Sequence, residues 1–308
     1  MKIRIGTRGS DLAMTQTRSI RRRLEEHGHT VEIEIIKTDG DQDQVRPFAE
    51  LGPAGIFVRS LEQALVEGRV DLAVHSYKDL PSVSPAELIV AAMPQRVDVR
   101  DRLLIAEAAH DPAGRNLPLK PGARIGSSAA RRSALLRDLR PDVTVHLLRG
   151  NVPTRVQKLL DGQYDAILLA SAGLDRLAGA AERGEIEPVE RPGIIEVDLD
   201  ATRFVPAPSQ GALALQVRAA DAETRAAVAA LDDVAAHRGV RAERALLAKV
   251  EAGCQVPFGA WCREESDGWH LSAYLERDGV SAHTEQIGAV PEDLVQRAYA
   301  ALVGEVPA

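Results

Sequence analysis

Three groups of residues in this sequence carry side chains that can do chemistry. Cys254, one of only two cysteines, follows a predicted helix in the loop VEAGCQVPFGAW. Lys78 and Asp79 are adjacent in AVHSYKDLP, directly after a predicted strand. The third group consists of arginines. A thiol can act as a nucleophile or as an attachment point, and a carboxylate can stabilise a developing cation or transfer protons. Guanidinium groups bind carboxylates or phosphates through paired hydrogen bonds.

The arginines fall where the ligands of α/β proteins usually bind. In open α/β sheets that place is the crevice beyond the carboxyl ends of the strands, and helix N-termini there add positive potential. Polar residues that follow predicted strands or open the next helix include Arg8, Ser10, Ser128, Arg131, Arg132, Arg149, Arg155 and Arg176. We therefore expect a cationic rim that binds a polyanion of carboxylates or phosphates.

Simpler interpretations of these charged residues stay open at this point. Arg131 and Arg132, taken alone, are typical of a solvated helix face. Arg149 could be a surface residue that caps a helix, and the pair Lys78 and Asp79 could form an ordinary surface turn before a proline. The position of so many arginines after strands is harder to explain by chance.

The cysteines also have two interpretations each. A free cysteine is most often a small buried residue, and Cys262, next to a tryptophan in an apparent strand, fits that description. Cys254 differs because Gly253 and Pro257 indicate a bent loop. No histidine and asparagine motif marks Cys254 as a protease-type nucleophile, so attachment and core packing both remain possible.

The composition excludes several classes of protein. The chain has 308 residues, 45% hydrophobic and 27% charged, which is typical of a soluble protein of two or three domains. A net charge of -7 and 3% aromatic residues argue against nucleic-acid binding. The spacing of the two cysteines predicts neither a zinc site nor a disulfide framework. The sequence shows no apolar leader and no membrane span, so we expect a cytoplasmic protein. From the cysteine and histidine spacing we expect no bound metal.

The order of predicted elements indicates an α/β protein with a distinct tail. KIRIG, VEIEIIKT and VDLAVHS are typical of strands, and amphipathic helices are predicted between them, the first ending at Gly28. A second alternation runs from ARIGSS to AETRAAVAALDD, and it is interrupted by ERPGIIEVDLDATRFVPAPSQG, a predicted linker. The tail is predicted to be a small α+β domain.

Taken together, these segments resemble the porphobilinogen deaminases, also called hydroxymethylbilane synthases, over essentially the whole chain. The stretches that carry the resemblance are IGTRGSDLAMTQ, VHSYKDLP, GSSAARR, LLRGNVPTRVQKLLDGQYDAILLASAGLDRL, PSQGAL and RAERALLAKVEAGCQVPFGA. The resemblance implies an α/β fold with two lobes like type II periplasmic binding proteins, each with a mixed sheet, and a small C-terminal α+β domain. It places lobe 1 in residues 1–101 and 210–232, lobe 2 in 102–209 and the C-terminal domain in 233–308.

The resemblance also implies a cytoplasmic, monomeric transferase of porphyrin and heme biosynthesis. Such an enzyme joins four porphobilinogen molecules head to tail with loss of ammonia and releases hydroxymethylbilane, a linear tetrapyrrole. Its partner is this small substrate, not a nucleic acid or a membrane. Its dipyrromethane cofactor is bound through a thioether, which the family pattern places on Cys254.

The family pattern assigns roles to individual residues, with Asp79 as the catalytic carboxylate. The expected cofactor-binding residues are Cys254, Ser10, Lys78, Asp79, Ser128, Arg131, Arg132, Arg149 and Gly150. The expected substrate-binding residues are Arg8, Phe57, Arg149, Arg155, Arg176 and Gln210.

Five positions depart from the family pattern, and two of them are Ala252 for a usual glycine and Val99 for a usual proline. Ala129 stands where a second serine is usual, and Glu50 and Ala54 stand where the loop 42–55 usually has lysines. These changes remove one hydroxyl and two basic side chains. We hypothesise that Arg59 compensates for the lysines, in which case Arg59→Ala raises KM.

Two other functions predict different features. A non-catalytic two-lobed binder of small carboxylates has no need of Cys254 or of the small domain. A cysteine-dependent acyl transferase needs a histidine near Cys254, and the candidates nearby in sequence are His270 and His283.

Overall fold

The computed structural model describes residues 1–36, 56–250 and 256–305, without the side chains of Ile56 and Phe57. The described chain forms two compact units. Unit 1 comprises Met1–Val97, Gly179–Ile186 and Gly211–Arg238. Unit 2 comprises Asp98–Ala178, Glu187–Gln210 and Gly239–Ala308.

Strands and helices alternate through most of the described chain. The strands are β1 (Lys2–Thr7), β2 (Thr30–Ile35), β3 (Leu72–Ser76), β4 (Leu88–Ala92), β5 (Asp101–Ala106), β6 (Arg124–Ser127), β7 (Thr144–Leu147), β8 (Ala166–Ala170), β9 (Ile194–Asp198), β10 (Leu213–Arg218), β11 (Phe258–Glu265), β12 (Gly268–Arg277) and β13 (Val280–Gly288). The helices are α1 (Asp11–Glu26), α2 (Ile56–Val66), α3 (Ala130–Leu139), α4 (Val152–Leu160), α5 (Ser171–Glu182), α6 (Ala222–Ala229), α7 (Val234–Lys249) and α8 (Pro291–Glu305). Short 3₁₀ turns span Tyr77–Asp79 and Glu107–Ala109.

Unit 1 contains a five-stranded mixed sheet in the order β2-β1-β3-β10-β4. β1 runs parallel to β2 and β3, whereas β10 runs antiparallel to β3 and β4. The alternate residues Ile3 and Ile5 of β1 are fully buried, and they pack in one core with Ile20 and Leu24 of α1. The helix ends as predicted, because Gly28 follows it with a φ of +82° that favours glycine.

Unit 2 contains a second five-stranded mixed sheet, in the order β7-β6-β8-β5-β9. β6 is parallel to β7 and β8, and β5 is antiparallel to β8 and β9. Its three central strands are largely buried, since Leu103 and Ile105 of β5, Ile125 of β6 and Leu168 of β8 are fully inaccessible. Helices cover such a sheet because its strands are apolar on both faces.

The C-terminal part of unit 2 is a three-stranded antiparallel sheet, β11-β12-β13. Helix α8 packs on it through the buried residues Leu294, Ala298 and Leu302. Gly259 of β11 lies so close to residues 205 and 206 that an added Cβ would stand 2.7 Å from the Val205 carbonyl oxygen. Only glycine permits that approach, so the small sheet is closely packed within unit 2.

The predicted fold class is confirmed, with mixed-sheet α/β units and a small C-terminal α+β portion. The predicted linker was wrong in one respect, because β9 lies inside it. The sequence analysis also missed β4 and β5. The domain boundaries remain a prediction. Among the described residues, no helix is long and apolar enough to cross a bilayer.

Candidate functional site

In unit 1, four predicted site residues follow two parallel strands. β1 and β3 pair with Gly6 opposite Ala73, so the residues after both strands emerge at the same edge of the sheet. Those residues are Arg8 and Ser10 after β1, and Lys78 and Asp79 after β3. Ser10 is also the N-cap of α1, where its hydroxyl accepts a hydrogen bond from the Ala13 N–H at 3.4 Å.

The backbone beneath Lys78 and Asp79 is held firmly although both residues are exposed. They lie on a 3₁₀ turn that begins with the buried Tyr77. The N–H of Tyr77 donates to the Ala212 carbonyl at 3.0 Å, and that of Leu80 donates to the Tyr77 carbonyl at 3.2 Å. The turn therefore presents an acid and a base to solvent from a rigid support.

His75 lies two residues before this turn and is buried in β3. Burial lowers the pKa of His75 to about 4, because a charged imidazolium is poorly solvated there. Its Nε2 makes no hydrogen bond with any residue that the structure describes. The side chain is therefore neutral at pH 7.

In unit 2, the strand ends form a comparable edge. β6 and β8 are parallel and end at Ser127 and Ala170. β5 runs in the opposite direction, and its first residue, Asp101, pairs with Ala170. A fully buried carboxylate therefore lies at the edge where the parallel strands end.

The side chains of Arg131 and Arg132 are buried at this edge. Arg131 Nη2 donates to Asp101 Oδ2 at 2.8 Å, and Arg132 Nη2 donates to Asp101 Oδ1 at 2.6 Å. Arg131 Nη1 also donates to the Val205 carbonyl at 2.7 Å, and Arg132 Nη1 donates to the Leu168 carbonyl at 3.0 Å. The alternative of a solvated helix face is therefore wrong, since both arginines belong to a buried ion cluster.

Arg149, Gly150 and Arg155 lie between β7 and the first turns of α4. Gly150 has a φ of +115°, and a Cβ there would stand 2.8 Å from Thr154 Cγ2, so only glycine fits. The Gly150 carbonyl accepts a hydrogen bond from Arg155 Nε at 2.7 Å. The Arg149 carbonyl accepts one from Lys158 Nζ at 3.0 Å. The turn thus holds the Nε of the Arg155 guanidinium group.

Arg176 is a half-buried cation on α5. Burial lowers its pKa to about 10, although the nearby Asp175 acts in the opposite direction. It therefore stays protonated at pH 7. Because it is poorly hydrated, an arriving carboxylate would interact with it more strongly than with a fully solvated arginine.

The start of α3 shows the consequence of one departure from the family pattern. Ala129 is the N-cap of the helix, with extended backbone angles and no side-chain cap. Ser128, the residue before it, is exposed. One predicted hydroxyl is therefore present at this helix start, and the hydroxyl of a serine at position 129 is replaced by a methyl group.

Gln210 is buried, with 1% of its surface exposed. Its Nε2 donates to the Val99 and Arg100 carbonyls at 2.8 and 3.2 Å, and to Asp101 Oδ1 at 3.0 Å. Its amide nitrogen is therefore directed into the ion cluster that holds Arg131 and Arg132.

Several predicted residues lie outside the described part of the chain. These are Cys254, Glu50 and Ala54, together with the loop 42–55 and the side chain of Phe57. Cys262 is described, and it is buried in β11 as the simpler interpretation predicts.

Sequence reasoning missed Asp101, the carboxylate that joins the two arginines. It stands at the end of a polar stretch, RVDVRD, and resembles a loop residue. The available signal was the apolar run LLIA shortly after it, which is typical of a buried strand. A charged residue that opens such a strand needs an opposite charge in the fold.

Comparison with known proteins gives matches along nearly the whole chain. Residues 3–226 match the family model "Porphobilinogen deaminase, dipyromethane cofactor binding domain". Residues 238–302 match "Porphobilinogen deaminase, C-terminal domain". The porphobilinogen deaminase of Roseiflexus sp. (strain RS-1) is 44% identical over 94% of this chain and 90% of its own. That of Roseiflexus castenholzii is 45% identical over 85% of this chain and 82% of its own.

Solved structures with a similar fold are more distant. An ancestral cationic amino acid solute binding protein is 14% identical, with a TM-score of 0.44 over 75% of this chain and 87% of its own. The GluR0 ligand-binding core in complex with L-glutamate is 11% identical, with a TM-score of 0.41 over 79% of this chain and 96% of its own.

Proposed function

We propose how this chain, which belongs to the porphobilinogen deaminase family, uses its residues: Asp79 performs the catalysis, and the arginines bind the acidic pyrroles. The enzyme is a transferase that joins four porphobilinogen molecules and releases hydroxymethylbilane.

The residues of unit 2 suit an acidic cofactor. The buried cluster holds two guanidinium groups and one carboxylate, so it carries one net positive charge. Ser128, just before α3, is exposed, and helix N-termini favour anions. A dipyrromethane with carboxylate side chains fits this set, and we assign Arg131, Arg132, Ser128, Arg149 and Gly150 to it. Cys254 is assigned as its thioether attachment point.

When bound, dipyrromethane supplies the pyrrole on which the new chain begins. The protein's own residues bind the carboxylates of the substrate and stabilise the positive charge that forms during the reaction. Arg8, Arg155 and Arg176 bind the acetate and propionate groups of incoming porphobilinogen, since guanidinium forks pair with carboxylates. Lys78 and Ser10 bind carboxylates of the cofactor, and the side chain of Phe57 completes the expected substrate contacts.

Asp79 acts on the reacting pyrrole. Loss of ammonia from porphobilinogen leaves a cationic methylene pyrrolenine. A carboxylate placed beside the pyrrole N–H accepts its hydrogen bond and stabilises the positive charge as it forms. The observation that carries this assignment is the exposure of Asp79 on a rigid turn directly after the buried strand β3.

The test compares Asp79→Asn with a control, Glu26→Gln, at an exposed carboxylate elsewhere in unit 1. We expect Asp79→Asn to lower tetrapyrrole formation at least about 100-fold with an unchanged circular dichroism spectrum and melting temperature. Glu26→Gln should retain full activity. Near-normal turnover by Asp79→Asn contradicts the role. Intact-protein mass spectrometry of the wild type should find two pyrrole units on Cys254, and an unmodified thiol in active protein contradicts the attachment.

We also propose that the enzyme is monomeric and cytoplasmic. The buried Cys262, and the lack of a membrane-crossing helix among the described residues, are compatible with that setting. Light scattering after size-exclusion chromatography should give the mass of one chain, 33.2 kDa, and a dimer mass contradicts the proposal.

A further inference from the structure

Asp101 occupies an unusual position for a carboxylate. It opens β5 and is completely buried, opposite the last residue of β8. A buried carboxylate without partners would lose several kcal/mol of hydration. It therefore depends on cationic neighbours, and both of them are residues that we assign to the cofactor.

The contacts fix both guanidinium groups in orientation as well as in position. Asp101 Oδ2 accepts from Arg131, whereas Oδ1 accepts from Arg132 through both Nη2 and Nε, at 2.6 and 3.1 Å. Each arginine is also held by a backbone carbonyl, of Val205 for Arg131 and of Leu168 for Arg132. Neither planar group can rotate without breaking two or more hydrogen bonds.

The charges in this cluster are stable at neutral pH. Burial alone would raise the pKa of Asp101, but the two guanidinium groups outweigh that effect and hold it far below its usual value. Burial also lowers the pKa of Arg131, which nevertheless stays protonated beside the carboxylate. One net positive charge remains. The hydrogen bonds to Asp101 determine how the two guanidinium groups that carry it are oriented.

A second buried carboxylate is connected to the cluster through Ser209 and Gln210, which are consecutive in the chain. Glu243 of α7 accepts hydrogen bonds from the Ser209 N–H at 2.6 Å and from the Cys262 N–H at 2.8 Å. Ser209 has a positive φ of +65°, a strained value for this residue type. The next residue, Gln210, donates to Asp101 Oδ1. Helix α7 is thus hydrogen-bonded to Ser209, whose neighbour Gln210 is hydrogen-bonded to the arginine cluster.

We propose that Asp101 is a positioning residue that orients Arg131 and Arg132 toward the acidic cofactor, and that Gln210 is a second positioning residue that holds Asp101. This inference rests on the proposed function of the two arginines. Gln210 was expected to bind substrate. Its amide nitrogen is directed toward the cluster instead, so we assign it to the support of Asp101. The alternative is that the cluster acts only through its net charge.

The test distinguishes orientation from charge. Asp101→Asn raises the net charge of the cluster by one, so a purely electrostatic role predicts a lower KM for porphobilinogen and full cofactor loading. In this variant the new amide nitrogen must face one of the two arginines, which frees that arginine to rotate. A rotated guanidinium no longer pairs with the carboxylates of the cofactor, so the cofactor is held less often and presents its pyrrole to porphobilinogen out of position. We therefore expect KM to rise at least tenfold and the cofactor-loaded fraction, measured by intact mass, to fall.

Asp142→Asn is the matched control, because Asp142 pairs with another buried arginine of unit 2, Arg140, at 2.7 Å. It should affect the melting temperature while leaving KM and the loaded fraction unchanged. A wild type without any adduct refutes the proposed function itself. A wild type with the adduct and a folded Asp101→Asn with equal loading and KM refutes only the positioning role.

If Asp101→Asn does not fold, a second variant tests the positioning role. Gln210→Met preserves volume and removes the hydrogen bond to Asp101 Oδ1 while the ion cluster keeps its charge. We expect a folded protein with a reduced loaded fraction and a raised KM, with kcat per loaded molecule changed less. Wild-type loading and KM in Gln210→Met overturn the proposal.

Discussion

The charged residues of the two units are held in opposite ways. In unit 1, Lys78 and Asp79 are exposed on a short turn, and the backbone beneath them supplies the rigidity. In unit 2, Arg131 and Arg132 are buried, and their own side-chain hydrogen bonds to Asp101 supply it. Exposed groups can meet new reactants repeatedly, whereas buried groups with fixed partners are suited to holding one ligand permanently.

The difference in burial also determines how much each set of residues contributes to the free energy of unfolding. Exposed charged side chains contribute little to the free energy of unfolding, so substitution of Lys78 or Asp79 should leave the fold of unit 1 intact. A buried cluster is strongly destabilised when one partner is removed. Unit 2 therefore couples its binding residues to its stability.

The largest effect is expected in the buried cluster. Arg132→Met leaves Asp101 with one cationic partner, and we expect the free energy of unfolding to fall by about 3–5 kcal/mol. Lys78→Met should change it by less than about 0.5 kcal/mol. Urea titrations followed by circular dichroism measure both values. Similar losses in the two variants would contradict the conclusion that the buried cluster stabilises the fold more than the exposed Lys78 does.

The next effect concerns pH. His75 has a folded pKa of about 4 against an ordinary 6.5, so the unfolded chain binds its proton first. The associated stability is fully present above pH 6.5 and is lost as pH falls toward 4, by about 3 kcal/mol in total. Asp101 stays ionised throughout this window, because its pKa lies far below the usual value.

Urea titrations of the wild type and of His75→Gln at pH 7 and pH 4.5 test this assignment. The wild type should lose more stability between the two pH values than the variant does. Equal losses in the two proteins would show that other groups cause the acid sensitivity.

A smaller effect is expected at Glu243. Glu243→Gln replaces one of two acceptor oxygens by a donor, which then faces the N–H of Ser209 or of Cys262. We expect a loss of about 2 kcal/mol in the free energy of unfolding. Glu264→Gln, at an exposed residue of β11, is the control and should be neutral. A neutral Glu243→Gln would mean that the buried carboxylate does not support the strained Ser209.

The smallest effect is a gain. Ala129→Ser supplies the missing N-cap of α3, and we expect stabilisation by about 1 kcal/mol. Ala130→Ser, one residue later and already inside the helix, should give no gain. An unchanged melting temperature in Ala129→Ser would show that the extended backbone at position 129 does not act as a cap.

The local pattern of the sequence was sufficient to predict much of the fold. KIRIG and VDLAVHS became β1 and β3, and the helix between Asp11 and Gly28 ended at the predicted glycine. These elements have regular alternation or clear caps. β9 was missed because its five residues lie among prolines and glycines that are typical of a linker.

The candidate site was predictable only in part, for a different reason. Arg131 and Arg132 were visible as candidates, but their burial depends on Asp101, thirty residues earlier in the chain. Pairing between residues so distant in sequence leaves no periodic signal. The strand register that places Asp101 opposite Ala170 is likewise a property of the assembled sheet.

The order of strands has a consequence for how the chain is made. In unit 1, β4 pairs with β10, and β10 also pairs with β3. β10 is translated only after β5 to β9, so the sheet of unit 1 stays incomplete while the whole sheet of unit 2 leaves the ribosome. Strands β1 to β4 are therefore translated well before the strand that completes their sheet, and a chain that stops before Leu213 would expose the unpaired edges of β3 and β4 to aggregation.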